Sequence, residues 1–394
     1  MVSQSTKAGI IDCVRNKHFF TKYPELKSGK DNNTYAFVEN NYSDQTIVAE
    51  TMRFAAAVLS IGAGFLMPLQ APPIQLDYLR SIFKLEFSGK LLLYDNSDPG
   101  AYLNVIHALP SSSLFVLYPY GAINPSQYVV APETLFALNN KALLHKISGN
   151  IPARQVFSLD ELCGLCSGSG AWSPPFVIKK DTGSSGDGVL IVHDLSMIDG
   201  FVKEKACYLV EQYISAKANF GIQFFINSDS SIHYVGYSEQ DTSSKGEFEG
   251  VLCHLKDMPN KDLLSIGFSA AKSVANHGYV GFVGFDVLHG NDGEYYIIDA
   301  NVRLTAASPA YILADYIIPV LGRYVYLGSG EIRAKSSKEV IGKLESAGAV
   351  LLSMSHQSGI STYKFFAMVG GTDRVSAKDS WLSFRKQLSV DPGL

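Results

Sequence analysis

The chain has no excess of charge of either sign. Its 33 Lys and Arg stand against 37 Asp and Glu, for a formal net charge of −4. Binding to nucleic acid through a basic stripe therefore has no support. Cysteine is scarce: the five, at 13, 163, 166, 207 and 253, are odd in number and scattered, which excludes a disulfide framework. Cys163 and Cys166 are the one close pair. No second Cys or His pair follows at zinc spacing, so they read as ordinary thiols. A membrane-spanning run is also missing. Phe54–Ala71 falls short of the ~20 apolar residues of a span and is interrupted by Gly, Pro and Gln; it reads as a buried helix followed by a strand. The polar N-terminus lacks the apolar core of a signal peptide. Internal repeats and low-complexity segments are absent. These exclusions leave a soluble, cytoplasmic protein with neither membrane nor nucleic acid as partner.

Apolar residues make up 46% of the 394 and charged residues 18%, enough for large cores in two or three domains. Residues 1–128 read as an α/β domain. A helix over Asp44–Ile61 is followed by strands at Ala63–Leu69, Lys90–Tyr94 and Leu114–Tyr118, with helices near Gln75–Ile82 and Ala101–Leu109 between them. Such alternation predicts a parallel sheet with crossover helices. This part has no Gly-x-Gly-x-x-Gly, so it gives no sign of a dinucleotide site.

Residues 129–214 start with a helix over Ala131–Ser148, opened by Pro132 and carrying Lys141 near its middle. Pro175–Val192 follows as strand, loop and strand. Its loop holds Gly183, Ser184, Ser185, Gly186 and Gly188, preceded by Lys179 and Lys180. Glycine lets backbone N–H groups approach phosphate oxygens closely, although this is not the Walker pattern. Tyr208–Ile214 is a strand interrupted by Glu211 and Gln212.

In residues 215–330, a hairpin joins Gly221–Ile226 to Ser231–Tyr237. A helix over Asp262–Gly278 buries Leu263, Leu264, Phe268, Ala271 and Val274 and stops at Gly278. Then comes Gly281–Arg303, two alternating strands around the turn signal Asn291-Asp292-Gly293. Side chains on a strand alternate between faces, which puts Asp299, Asn301 and Arg303 together, with Asp286 beside them if the strands pair. Oxygen donors in small number suit Mg²⁺ that keeps waters and holds phosphate, and Arg303 suits phosphate or carboxylate. Ser308 and Pro309 read as cap and first turn of a helix over Ala310–Ile318, an anion pocket at its start. Residues 331–394 read as a small separate C-terminal domain.

In this order, Lys141, then Lys179 before the Gly/Ser loop, then Glu211–Ile214, Asp286 and Asp299-x-Asn301-x-Arg303 resemble the ATP-grasp superfamily of carboxylate–amine ligases over roughly residues 130–315. The resemblance implies an α/β (α+β) ATP-grasp fold with a preceding α/β domain and a lid. It implies ATP as cofactor, with Lys141 and Lys179 on its phosphates and Gly183–Gly188 closing over them. Glu211, Gln212, Tyr213 and Ile214 would meet the adenine, and Asn219 stands where the family often has a ribose-binding Glu. Asp286, Asp299 and Asn301 would hold Mg²⁺, or Mn²⁺ in its place, though position 299 is usually Glu. Lys179 and Arg303 would act in catalysis, Arg303 alone where some relatives have a further Arg at position 284. Glu239, Gln240, Ser308 and Arg303, together with Ser238, His254 and the rest of Leu304–Tyr311, would face small-molecule carboxylate and amine substrates. The flanking segments Tyr237–Gly250 and Asn301–Ile312 look most like ligases that build peptide antibiotics or siderophores. A homodimer is compatible with this class. Two rivals stay open: biotin-carboxylase-like carboxylation, and a nucleotide-binding regulator that performs no transfer.

Overall fold

The computed structural model describes residues 4–21, 25–27, 36–38, 52–69, 74–95, 97–98, 100–158, 160–162, 172–180, 188–201, 208–242, 248–356 and 361–389. Strands β1 (His18–Phe20), β2 (Gly64–Pro68), β3 (Leu91–Tyr94) and β4 (Leu114–Val116) form a parallel sheet in the order β3-β2-β1-β4. Every residue of β2 is buried, as suits a parallel strand covered on both faces. The helix expected over Asp44–Ile61 is seen as Ala55–Ser60, residues 44–51 lying outside the described part.

A second sheet is antiparallel. It consists of β5 (Arg154–Phe157), β6 (Phe176–Lys180), β7 (Val189–Val192) and β8 (Tyr208–Gln212), in the order β5-β8-β6-β7. Alternation splits its residues. Phe157, Phe176, Ile178, Tyr208 and Val210 build a small core of their own, while Val177, Lys179 and Glu211 line a cleft on the other side.

The floor of that cleft is an eight-stranded antiparallel sheet. Its strands are β9 (Ala216–Ile226), β10 (Ile232–Thr242), β11 (Phe248–His254), β12 (Gly281–Gly290), β13 (Tyr295–Asn301), β14 (Tyr324–Arg333), β15 (Val350–His356) and β16 (Thr362–Gly371). They run in the order β13-β12-β9-β10-β11-β14-β16-β15. The expected boundary at 330/331 thus falls inside β14, which pairs with β11 on one side and β16 on the other. The C-terminal strands continue the same sheet as the acidic hairpin. They also carry a local core, where Val340, Leu344, Trp381 and Phe384 from two covering helices meet Phe365. The N-terminal sheet is joined to the floor by one apolar cluster containing Phe65, Phe115, Phe225, Phe282 and Leu304. No helix among the described residues is long and apolar enough to cross a membrane.

Three expectations change in detail. The helix expected over Ala131–Ser148 is an α-helix, Pro132–Asn139, followed by a 3₁₀ turn, Lys141–Lys146. Asn140 breaks it: extended in backbone, it accepts a 2.9 Å hydrogen bond from Ala142 N, the competition that makes Asn a cap rather than a helix interior. In helix Lys261–Asn276, capped by the Asn260 side chain on Leu263 N, Phe268 is 45% exposed rather than buried and meets the Phe224 ring only edge-on. Gly267 makes the close contact instead; a Cβ there would lie 2.9 Å from the Phe224 ring. Finally, Ser308 is the first residue, not the cap, of a five-residue helix, Ser308–Ile312, which breaks at Leu313 before Ala314–Leu321.

Candidate active site

Between the second sheet and the floor lies a cleft of about 610 Å³. Val177, Val189 and Ile191 form part of its upper wall, Ile222, Leu288 and Ile298 part of its floor, and Gln212–Ile214 its hinge side. Two aliphatic layers with polar groups at the rim make a slot suited to a flat, partly polar ring.

The acids come together as the hairpin pattern requires. Asp286 on β12 is paired in register with Asp299 on β13, and Gly284 with Asn301. A bulge follows, because Val287 pairs with Ile297 and leaves Ile298 as the extra residue. Bulges re-aim side chains next to functional sites. Here the freed Ile298 carbonyl accepts a 3.0 Å hydrogen bond from Lys179 Nζ. Asn301 Nδ2 and Gln240 Nε2 donate to the two oxygens of Asp286, at 3.1 and 2.6 Å. Gly221 leaves room for this, since a Cβ there would sit 3.1 Å from Gln240 Nε2. Lys141 Nζ pairs with Asp299 Oδ2.

The two carboxyls therefore behave differently. Burial, then the neighbouring Asp299 charge, push the Asp286 pKa above the usual aspartate value, against the amides of Gln240 and Asn301 and the Lys141 charge. Burial acts the same way on Asp299, but the Lys141 ammonium, with Lys179 and Arg303 behind it, reverses the effect and holds its pKa low. The sign for stability follows. A carboxyl whose pKa is raised on folding favours the folded state while protonated, fully below the usual range near 3.9, and that contribution is gone once pH passes the raised value. An uncharged amide keeps it at all pH. Asp286→Asn, with one flip of the Gln240 amide, is thus expected to raise the ligand-free melting temperature at neutral pH. That advantage over wild type should shrink toward zero as pH falls below 4, as thermal melts across pH would record.

A buried cluster ties the two walls together. Glu211, 2% exposed, lies between Lys179 Nζ at 2.7 Å and Arg154 Nη2 at 2.5 Å. The Arg154 contact is an ion pair without hydrogen-bond alignment, as neither Nη2 nor Oε1 has a hydrogen-bond partner. Arg154 Nη1 donates to the Lys141 carbonyl at 2.9 Å. Arg303 lies past the end of β13. Its guanidinium rests over the Tyr118 ring at 4.7 Å and donates to Asn139 Oδ1 at 2.9 Å.

A family model for ATP-grasp L-aspartate–L-methionine ligases matches residues 152–301, the stretch that builds this cleft from the upper wall to the acids. Over that stretch the chain is similar to ATP-grasp ligases. Solved structures share the architecture at low identity. N5-carboxyaminoimidazole synthetase from Staphylococcus aureus, complexed with ADP, aligns at 11% identity and TM-score 0.59, over 86% of this chain and 94% of that one. The corresponding synthase from Aspergillus clavatus, with ADP and 5-aminoimidazole ribonucleotide, aligns at 11% and 0.58, over 95% and 99%. L-amino acid ligase from Bacillus licheniformis aligns at 13% and 0.56, over 95% and 98%. At such identities these structures establish the shared ATP-grasp fold.

In this ATP-grasp frame most of the residues named from sequence line one cleft: Lys141, Lys179, Glu211, Gln212, Tyr213, Ile214, Asn219, Gln240, Asp286, Asp299, Asn301 and Arg303. Asn219 Oδ1 is buried with no hydrogen-bond partner, an acceptor available to a ribose-like hydroxyl. Asp299 is reached by Lys141 although it is a methylene shorter than Glu. Position 284 has no room for an Arg, because a Cβ there would meet Thr305 Cγ2 at 2.8 Å. Three residues stand elsewhere. Glu239 points to the opposite side of β10 from Ser238 and Gln240, bonding His254 Nε2 at 2.9 Å and Arg374 at 2.5 Å; period-two alternation requires this. His254 goes with it and is 2% exposed. Ser308 is fully buried, donating to Gln223 Oε1 at 2.9 Å and accepting from Thr305 N at 2.8 Å. Sequence reading missed Arg154, Arg53 and Gln223. Arg154 had one signal, its place on a strand directly before the lid segment; the others had none.

Gly183, Ser184, Ser185 and Gly186 lie outside the described residues. Gly188 closes the base of their loop with φ +76°, where a Cβ would press on the Lys180 side chain at 3.1 Å. A β-branched residue is strongly disfavoured at such a φ. Gly188→Val is expected to weaken nucleotide binding about tenfold, on the order of 1.4 kcal/mol, and to lower the melting temperature of the ligand-free protein only modestly, because the strain sits at the base of one loop. Calorimetric titration with a non-hydrolysable ATP analogue measures the first, and unaltered affinity would reduce the loop to a hairpin tip.

Proposed function

We propose that the protein joins the carboxylate of one small molecule, an amino acid, to the amine of another. The reaction runs through an acyl phosphate made from ATP and yields an amide, ADP and phosphate. The observation that carries this reading is the convergence of Asp286, Asp299, Asn301, Lys141, Lys179 and Arg303 on one cleft. The family model for L-aspartate–L-methionine ligases makes amino acids the first substrates to try, and formation of a small peptide-like metabolite is the setting we favour. A cytoplasmic location, where ATP and Mg²⁺ are plentiful, suits the reaction.

In this reading the aliphatic slot takes the adenine, backbone groups at Tyr213 and Ile214 bond its edge, and Asn219 accepts from the ribose. The two acids and the Asn301 amide are hard oxygen donors that fit Mg²⁺, with Lys141 supplying the positive charge beside Asp299 in the ligand-free protein. Bound there, Mg²⁺ would offset charge on the phosphate oxygens. Lys141 exchanges its carboxylate for phosphate when nucleotide enters. Lys179, held by Glu211 and the Ile298 carbonyl, is already aimed into the cleft. Arg303 lies where charge spreads over the transferring group as the carboxylate attacks. The amine then attacks the acyl carbon and phosphate leaves. The upper sheet keeps water off the acyl phosphate while it waits.

A phosphate-release screen over acid and amine pairs, with mass spectrometry of products, tests the reading. Amide plus ADP is the expected outcome. AMP and pyrophosphate would mean an adenylating enzyme and would overturn it.

A further inference from the structure

One charged side chain in the cleft has no role in phosphoryl transfer. Arg53, from the N-terminal part of the chain, lines the same cavity as the acids. It is only 8% exposed. Its Nε is buried without a hydrogen-bond partner, and no carboxylate among the described residues pairs with it. Two other cations of this cleft are partnered, Lys141 by Asp299 and Lys179 by Glu211. A buried charge with no carboxylate beside it is costly to a fold, and among the described residues Arg53 has none, which points to a partner that comes and goes.

The surroundings say what kind. The guanidinium carbon lies 4.8 Å over the Phe54 ring and 4.5 Å over the Phe366 ring, both within cation–π range. Two rings hold the plane and leave its N–H edge as the part able to bond. That edge is a planar fork matched to a carboxylate. Ser329, also in the cavity wall, is the cross-strand neighbour of Phe366 and adds a hydroxyl at the same end.

Position separates this end from the phosphates. Asp286 is on β12 and Phe366 on β16, five steps apart in the sheet order. At about 4.8 Å per step that is on the order of 20–25 Å between strand backbones, much of it spanned by the side chains at the two ends and by the phosphate chain, so a small substrate can bridge what is left. A carboxylate at Arg53 is therefore not the one that receives the phosphoryl group.

We infer that Arg53 is the binding site for the unreacting carboxylate of an amino-acid substrate, held bidentately between Phe54 and Phe366. This inference rests on the proposed ligase reaction and names a subsite within it. Two sources share the chemistry: a second carboxylate on the acid that is activated, or the α-carboxylate of the amine-bearing acceptor.

The test compares wild type with Arg53→Gln and Arg53→Lys, using L-aspartate and L-methionine against their carboxamides, L-asparagine, L-isoasparagine and L-methioninamide. Wild type is expected to prefer one carboxylate over its carboxamide by about 10- to 100-fold in KM, the range of a charge-assisted pair. Arg53→Gln should lose that preference with kcat changed far less, and Arg53→Lys should regain part of it. If the carboxylate belongs to the activated acid, hydroxylamine trapping without acceptor will also weaken in Arg53→Gln. If it belongs to the acceptor, trapping will stay at the wild-type level. Amide formation with an unaltered carboxylate preference in Arg53→Gln would overturn the inference while the ligase reading stands. Wild type that makes no ADP with any pair would overturn the ligase reading. Binding then decides on Arg53: saturation-transfer NMR on the same compounds with a non-hydrolysable ATP analogue should show carboxylate-selective binding lost in Arg53→Gln, and no such selectivity in wild type would overturn the inference.

Discussion

Asp299→Asn is expected to lower kcat/KM for ligation about a thousandfold while the protein keeps its fold. Asp299 is half of the carboxylate pair at the end of the cleft where the proposed reaction places the phosphates, and Lys141 already balances it. The amide has the same shape and occupies the same place in β13, so strand pairing should survive. What disappears is one full charge toward the metal and the phosphate chain, an electrostatic loss worth several kcal/mol in a site shielded from water. Lys141, released from its partner, would bind phosphate more readily in the ground state, so nucleotide affinity should fall far less than turnover. Steady-state kinetics over a Mg²⁺ titration, beside circular dichroism and a thermal melt, separates these effects. Wild-type turnover with an unchanged Mg²⁺ requirement would remove Asp299 from the site.

Arg303→Lys is expected to bind ATP normally yet trap roughly a hundredfold less acyl phosphate as hydroxamate. The guanidinium is braced by the Tyr118 ring and the Asn139 carbonyl oxygen, which presents a fixed fork to the cleft. An ammonium supplies the charge without the two parallel bonds. It also cannot hold Asn139 and a phosphoryl oxygen in the same geometry. The readout is hydroxamate formed from ATP, the acid and hydroxylamine with no amine present, normalised to the ADP released. Equal trapping in both proteins would mean that Arg303 only props the loop after β13.

The acidic hairpin was the most legible part of the chain. Alternation and a strong turn signal state both the strand pairing and the side each residue faces, and those rules are local. The bulge at Ile298 was not legible, because one extra residue leaves no mark on an apolar run. The error at Glu239 arose from treating Ser238, Glu239 and Gln240 as a unit when β10 must send the middle one the other way. Ser308 misled for a different reason. Ser-Pro reads as a cap, but Gln223, far away in sequence, supplies the partner that buries the hydroxyl. Arg154 and Arg53 lie in segments with no motif, and only the tertiary arrangement brings Arg53 to the cleft and Arg154 to Glu211 behind it. Strands near Ala349–Ser355 and Thr362–Val369 and a helix over Lys378–Leu388 are legible locally and suggest a small domain of their own, whereas strand pairing across β14 depends on partners dozens of residues apart.

That continuity of the sheet limits how the chain can be rearranged. Because β14 and β16 extend the same hydrogen-bonded ladder as the strands that carry Asp286 and Asp299, the C-terminal segment is not a module that can be exchanged between relatives by cutting at a linker. Any graft after residue 330 would bare a long strand edge, the kind that invites pairing with other chains. It would also remove Phe366, one of the two rings around Arg53. Evolution of this chain toward new partners is thus expected to proceed by substitution along the cleft wall rather than by shuffling its C-terminal part.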